Sequence, residues 1–258
     1  MPIDVVVAAS ALIASLLSGL LGIGGGLVLT PLALYVPGLV GAGALSVKLV
    51  TGLTIVQALS GSVLGVLRHR RYGNVSFRLV RLMGPASAIA AFAGALVSRD
   101  TSDQVLLAIF AVFSLAGAIA LVVPVEAQQA TVDELHINVP LALGIAIVIG
   151  FFGGMVGIGA IAFIIAALVT LLGIPARVAV GTSLGIGFFS ALAALVGKAA
   201  TAQIDPALGA IVLGAAVIAS PIGAALSQRI RPRVLLGALS FVLVLTAARI
   251  GYQAIAGV

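Results

Sequence analysis

The stretch SGLLGIGGG, residues 18–26, places five glycines inside a long apolar run, and a related stretch returns as GGMVGIGAI at residues 153–161. A glycine in a helix interior costs about 1 kcal/mol relative to alanine, so two such clusters need a reason. They sit near the middle of apolar runs 4–37 and 140–173. A helix crosses the hydrocarbon core in about 20 residues, and both runs are much longer than that. Either each is one tilted helix with a tail, or each is a hairpin of two shorter helices broken at the glycines. The fold depends on which reading holds.

Composition fixes the solvent. Of 258 residues, 62% are hydrophobic and 8% charged, and the mean hydropathy is +1.34. Soluble domains carry about 25% charged residues, so lipid must surround most of this chain. Further apolar runs lie at 40–67, 79–97, 104–123, 178–198, 206–226 and 233–255. Apolar and polar residues do not alternate, which disfavours a β-barrel. The net charge is +6, but the basic residues cluster in short loops between runs, as a membrane topology bias requires; nucleic acid is not an expected partner. Without cysteine there are no disulfides, thiolate metal sites or cysteine nucleophiles. The N-terminal MPIDVVVAAS lacks a positive segment and reads as mature protein rather than a cleaved signal.

The loop charges choose between the two readings. Arg68, Arg70, Arg71, Arg78 and Arg81 crowd the loop after run 40–67, and Arg229, Arg231 and Arg233 crowd the one after run 206–226. Both loops should be cytoplasmic. Run 79–97 then leads out, SRDTSD (98–103) lies outside, and run 104–123 leads back in. If run 140–173 crossed once, the three arginines at 229–233 would lie outside; as a returning hairpin it leaves them inside. The hairpin reading therefore holds for both long runs. It places both termini outside and the linker inside a cell membrane crossed several times, with Arg177 as an inside topology charge.

Each half then contains one hairpin and three crossings. Three is odd, so the halves lie upside down relative to each other, as in many secondary transporters. The expected fold is an all-α integral membrane protein of two inverted-topology repeats. Each is a glycine-broken, re-entrant-like helix hairpin plus three transmembrane helices. The first repeat covers 1–123, a cytoplasmic linker 124–139, and the second repeat 140–258. The residues carry the repeat: Gly19-Leu-Leu-Gly22-Ile-Gly24 matches Gly154-Met-Val-Gly157-Ile-Gly159, Ala44-Leu-Ser-Val-Lys48 falls opposite Ala179-Val-Gly-Thr-Ser183, and Gly94-Ala-Leu-Val-Ser98 resembles Gly223-Ala-Ala-Leu-Ser227.

Broken helices leave unpaired backbone groups, tolerated at membrane depth only inside protein or around a polar cavity. Helix N-termini offer free N–H groups and partial positive charge, and they bind anions. One reading is a central anion site walled by Gly22, Gly24, Gly25 and Gly26 and by Gly157 and Gly159. The other is that these glycines allow close helix packing. Lys48 and Thr51 on the helix after the first hairpin, and Thr182 and Ser183 after the second, are candidate walls, with Ser190 on the face of Ser183. Lys48 also stands near enough to a run end to snorkel. Gln57 points to the opposite face from Lys48. Lys198 and Arg249 read as snorkelling side chains. His69 reads as a solvated loop residue and His136, in the linker, as incidental.

No Asp or Glu falls within any crossing, which leaves no carboxylate proton relay, acid pair or metal cluster. The chain does not read as an enzyme, and no cofactor is implied. An inside-negative potential of about 100 mV drives each exported negative charge outward by about 2.3 kcal/mol, so export is the natural direction for a small anion.

GLLGIGGGLVLTPLAL (19–34), GGMVGIGAIAFIIAALVTLLGIPARVAVGTSL (153–184) and the basic loop after the second run together resemble the TauE/SafE sulfite exporter family of membrane permeases. The resemblance covers nearly the whole chain. It implies transport of sulfite, sulfonates or related small sulfur-containing anions; some members are expected to carry other small organic anions. Its glycine-rich turn falls on Gly22, Gly24, Gly25 and Gly26, followed by Pro31, and its second copy on Gly157 and Gly159. Its GTS box falls on Gly181, Thr182 and Ser183. Ala160 and Ile161 stand opposite Gly25 and Gly26, and Ser46-Val47-Lys48 stands opposite the GTS box, where a lysine would either strengthen anion binding or alter its selectivity. The alternatives are an importer or broad permease for other small organic anions, and a non-transporting scaffold subunit.

Overall fold

A computed structural model describes residues 1–21, 25–70, 73–122, 137–159, 161–226, 244–245 and 247–250. No strand occurs among the described residues. In chain order the helices are α1 (Ile3–Leu21), α2 (Gly26–Leu39), α3 (Val47–Arg70), α4 (Phe77–Val97), α5 (Asp103–Val122), α6 (Val139–Val156), α7 (Ile161–Thr170), α8 (Ala176–Ala200) and α9 (Pro206–Leu226). Six of them, α1, α3, α4, α6, α8 and α9, are long and apolar enough to cross a membrane.

Both over-long runs are broken at their glycines. Run 4–37 becomes α1 and α2, and run 140–173 becomes α6 and α7. α6 stops where Gly157 turns left-handed (φ 75, ψ 14) and its N–H closes on the Gly153 carbonyl, a conformation that side chains with a Cβ resist. The arms are unequal in length. α1 and α6 have 19 and 18 residues, about 27–29 Å at 1.5 Å per residue. α2 and α7 have 14 and 10, about 21 and 15 Å. The second arm of the later hairpin ends early because Gly173 takes φ 64 and Pro175 follows as the N-cap of α8.

One helix start differs from the sequence reading in a way that matters. Run 40–67 does not turn helical until Val47, because Gly41 (φ 67) and Gly43 (φ 101) hold a turn before it. Lys48, some residues inside its run, is therefore the second residue of α3. At the other end α3 continues through Arg70, so His69 is helical rather than in a loop. Gly22, Gly24, Ala160, His136 and most of the linker and of run 233–255 lie outside the described residues.

Small residues occupy the interior. Ala11, Ala14, Ala58, Ala91, Ala95, Ala191 and Ala194 are fully buried, while Ile13, Ile89, Val112, Ile119, Val148, Val217 and Ile218 point outward. That distribution suits helices that meet through close backbone approach in lipid. Where α4 meets α6, Gly154 lies on the Ala91 carbonyl and Gly94 on the Phe151 carbonyl. Where α1 meets α9, Gly19 lies on the Ser220 carbonyl and Gly223 on the Leu16 carbonyl. The chain separation from Gly19 to Gly154 equals that from Leu16 to Phe151, and the separation from Gly94 to Gly223 equals that from Ala91 to Ser220. α3 crosses α8 antiparallel, with Thr51 beside Lys198 and Gly65 beside Leu184. α4 runs parallel to α8, pairing Val80 with Gly185 and Gly84 with Phe189.

Candidate functional site

The two breaks converge. A Cβ on Gly26 would stand 2.9 Å from the Ile158 Cα, so the first break touches the second. Both rest on the first half of α3: Gly25 against the Gln57 amide, Gly159 against Ala58, and Gly157 against the Thr51 carbonyl and Thr54. Gly187, near the middle of α8, lies against Ile161 of the second break. Gln57 does face away from Thr51, as its spacing requires, but the face it occupies is that of the first break. With its amide oxygen toward Ser15, it accepts from Ser15 Oγ at 3.0 Å and Ser15 N at 3.1 Å, and its nitrogen reaches the Gly25 carbonyl at 3.3 Å. Gly25 (φ 73) is the N-cap of α2 and provides no side-chain cap. Val28 N and Leu29 N already donate to the Gly25 carbonyl, which leaves Gly26 N and Leu27 N without intrahelical acceptors.

Beside the second break lies a residue that the sequence reading set aside. Lys198 was expected to snorkel; its side chain is instead 0% exposed. Its Nζ donates to Thr51 Oγ1 (2.9 Å), Met155 O (3.0 Å), Gln203 Oε1 (3.0 Å) and Ser98 Oγ (3.1 Å). Four oxygens thus surround three N–H hydrogens, all four are neutral, and no described carboxylate pairs with the ammonium. Met155 belongs to the last turn of α6, whose carbonyls lack intrahelical donors and carry the negative end of the helix dipole. Gln203 reaches Lys198 because the chain folds back after α8. Thr201 N donates to Gly197 O and Gln203 N to Lys198 O, through Ala202 at φ 55, a costly conformation for a residue with a Cβ. Ser98 also donates to Ala95 O at 2.7 Å, and Gln203 Nε2 donates to Thr201 Oγ1 at 2.7 Å and to Ala95 O at 3.3 Å.

The other candidates divide. Thr51 joins the breaks to Lys198. Lys48 stands apart, half-exposed, with its ammonium donating to the Arg99 carbonyl beyond the end of α4. Thr182 and Ser183 lie far down α8, near its other end. Thr182 Oγ1 accepts from Ser76 N at 2.9 Å, just before α4, and Ser183 Oγ donates to Val180 O. Arg249 places its guanidinium 4.4 Å from the centroid of the Tyr35 ring, a cation–π contact. Lys198, Ser98 and Gln203 carry no motif. The one signal in the sequence was a lysine followed within five residues by a glutamine at the end of an apolar run.

A cavity of about 520 Å³ opens at the Ser76 end of the bundle, walled by Val63, Leu67, Val80, Pro85 and Phe188, with Arg81 the charged lining residue. Such apolar walls penalise a small charged solute, so the breaks and the Lys198 cluster are the better site.

The sequence model of the sulfite exporter TauE/SafE family matches residues 7–250. The chain belongs to the TauE/SafE family. It is 21% identical over 263 residues to the probable membrane transporter protein YunE of Bacillus subtilis, covering 95% of this chain and 96% of that protein. It is 30% identical over 173 residues to a probable membrane transporter protein of Haemophilus influenzae, covering 66% and 64%. A probable membrane transporter protein of Methanocaldococcus jannaschii is 25% identical over 175 residues, covering 67% and 64%. No solved structure matches the chain. TauE/SafE proteins are membrane transporters rather than enzymes, and this member is a multi-pass membrane protein. Its described helices bring Gly26 of the first break against Ile158, between Gly157 and Gly159 of the second.

Proposed function

We propose that this chain is a permease that carries a small anion, sulfite or a sulfonate, outward across the cell membrane. The observation that carries the reading is the meeting of both glycine breaks along the first half of α3, next to a buried ammonium. A broken backbone there is tolerable because protein surrounds it. The uncapped amide end of α2 favours negative charge. The halves are read as an inverted repeat: α3 and α8 are equivalent by chain position and run antiparallel, and the glycine contacts of α4 with α6 recur between α1 and α9. On this reading the Ser76 end faces the cytoplasm, the Lys48 end faces outward, and both termini lie outside.

Purified protein in proteoliposomes tests this. Sulfite loaded inside should leave faster when the imposed voltage favours anion exit, because each elementary charge gains about 2.3 kcal/mol per 100 mV. A flux indifferent to voltage would contradict uncoupled anion export. No flux for sulfite or methanesulfonate would favour a non-transporting scaffold.

A further inference from the structure

We propose that the Lys198 ammonium is the fixed counter-charge of a binding site for a small oxyanion, with Thr51, Ser98 and Gln203 as the groups that take the anion's oxygens. The inference deepens the permease reading and rests on it. A buried charge costs several kcal/mol unless it is paired, and this one is 0% exposed among neutral oxygens. A merely structural donor for the end of α6 would not need a charge. The partners are of a kind that can change role. A hydroxyl both donates and accepts, and a glutamine amide carries two N–H donors. In the unliganded arrangement Thr51 Oγ1 donates to Lys48 O at 2.8 Å while accepting from Lys198, and Ser98 Oγ does the same between Ala95 O and Lys198.

When an anion takes the ammonium, each hydroxyl loses the bond it accepts and can donate to the anion by turning its single hydrogen away from its helix carbonyl, Lys48 O for Thr51 and Ala95 O for Ser98. The Gln203 amide nitrogen, whose bond to Ala95 O is long at 3.3 Å, can donate as well. One cation and three neutral donors then face one point. That set suits several oxygens on a single centre, as in sulfite or a sulfonate head, better than a halide. The Met155 carbonyl, two residues before Gly157, keeps Lys198 tied to the second break while its other partners exchange. Access is from the Lys48 end, since Ser98 adjoins the Arg99 carbonyl that Lys48 holds.

The test is equilibrium binding of sulfite, methanesulfonate and chloride to the full chain in nanodiscs, beside the flux assay. Sulfite should bind the wild type, and Lys198→Gln should weaken it at least about tenfold. Ser98→Ala and Thr51→Val keep the lysine and should each weaken sulfite about tenfold, the scale of one hydrogen bond to a charged group, with a smaller effect on chloride. If Lys198→Gln does not fold, the two hydroxyl variants decide. Sulfite affinity unchanged in Lys198→Gln, or unchanged in both hydroxyl variants, overturns the proposal, as does wild-type protein that binds neither oxyanion. Sulfite flux that persists alongside unchanged binding would refute this site and leave the permease reading standing. Absent flux with lysine-dependent binding would do the reverse.

Discussion

At Gly157 a single methyl group has no room. The residue is left-handed, and a Cβ there would overlap the Thr51 carbonyl and stand 2.8 Å from Thr54 Oγ1. Strained backbone costs about 1–3 kcal/mol and overpacking a similar amount. Gly157→Ala should therefore destabilise the detergent-solubilised protein by about 2 kcal/mol or more, read as a clearly lower melting temperature. Gly144→Ala and Gly214→Ala are the controls: both are helical, both open to their surroundings, and each should leave stability unchanged or raise it by up to about 1 kcal/mol. Equal effects at all three positions would show that the break glycines are ordinary helix glycines. The conformational demand on Gly157 was legible, since glycines recur at fixed spacing inside two apolar runs. The role of Lys198 was not. Its burial follows from the end of α6 and from the fold-back through Ala202, and neither leaves a local pattern.

Among the elements, α3 does the most to organise the site, and its start decides which of its polar residues matter. A helix opening at residue 40 would carry Lys48 two turns into the membrane; opening at Val47, it leaves Lys48 on the rim. Lys48→Ala should accordingly change sulfite affinity by less than about threefold, because a half-exposed rim charge is screened by solvent and salt. A loss as large as that expected for Lys198→Gln would return Lys48 to the site. The hairpin breaks were legible because 34 apolar residues exceed one span and the arginine loops count the crossings. The unequal arms were not, because the stop at Gly173 and Pro175 competes with an unbroken apolar pattern. Nor was the way the GTS box is used, since Thr182 meets Ser76 across the bundle rather than the broken ends.

For the whole molecule, the testable geometry is which end faces which side. Single cysteines placed in this cysteine-free chain at Thr101 and at Asn74 should label with a membrane-impermeant thiol reagent from opposite sides of intact cells, Thr101 from outside and Asn74 only after permeabilisation. Labelling of both from one side would abolish the crossing order and with it the inverted halves. The four-oxygen cage around Lys198 has a further consequence. An ammonium with more suitors than hydrogens can let one go without leaving a proton stranded, so arrival and departure of a solute trade one equivalent partner for another. On the proposed reading, such redundancy lets the site take up an oxyanion and give it back without leaving the ammonium unpaired.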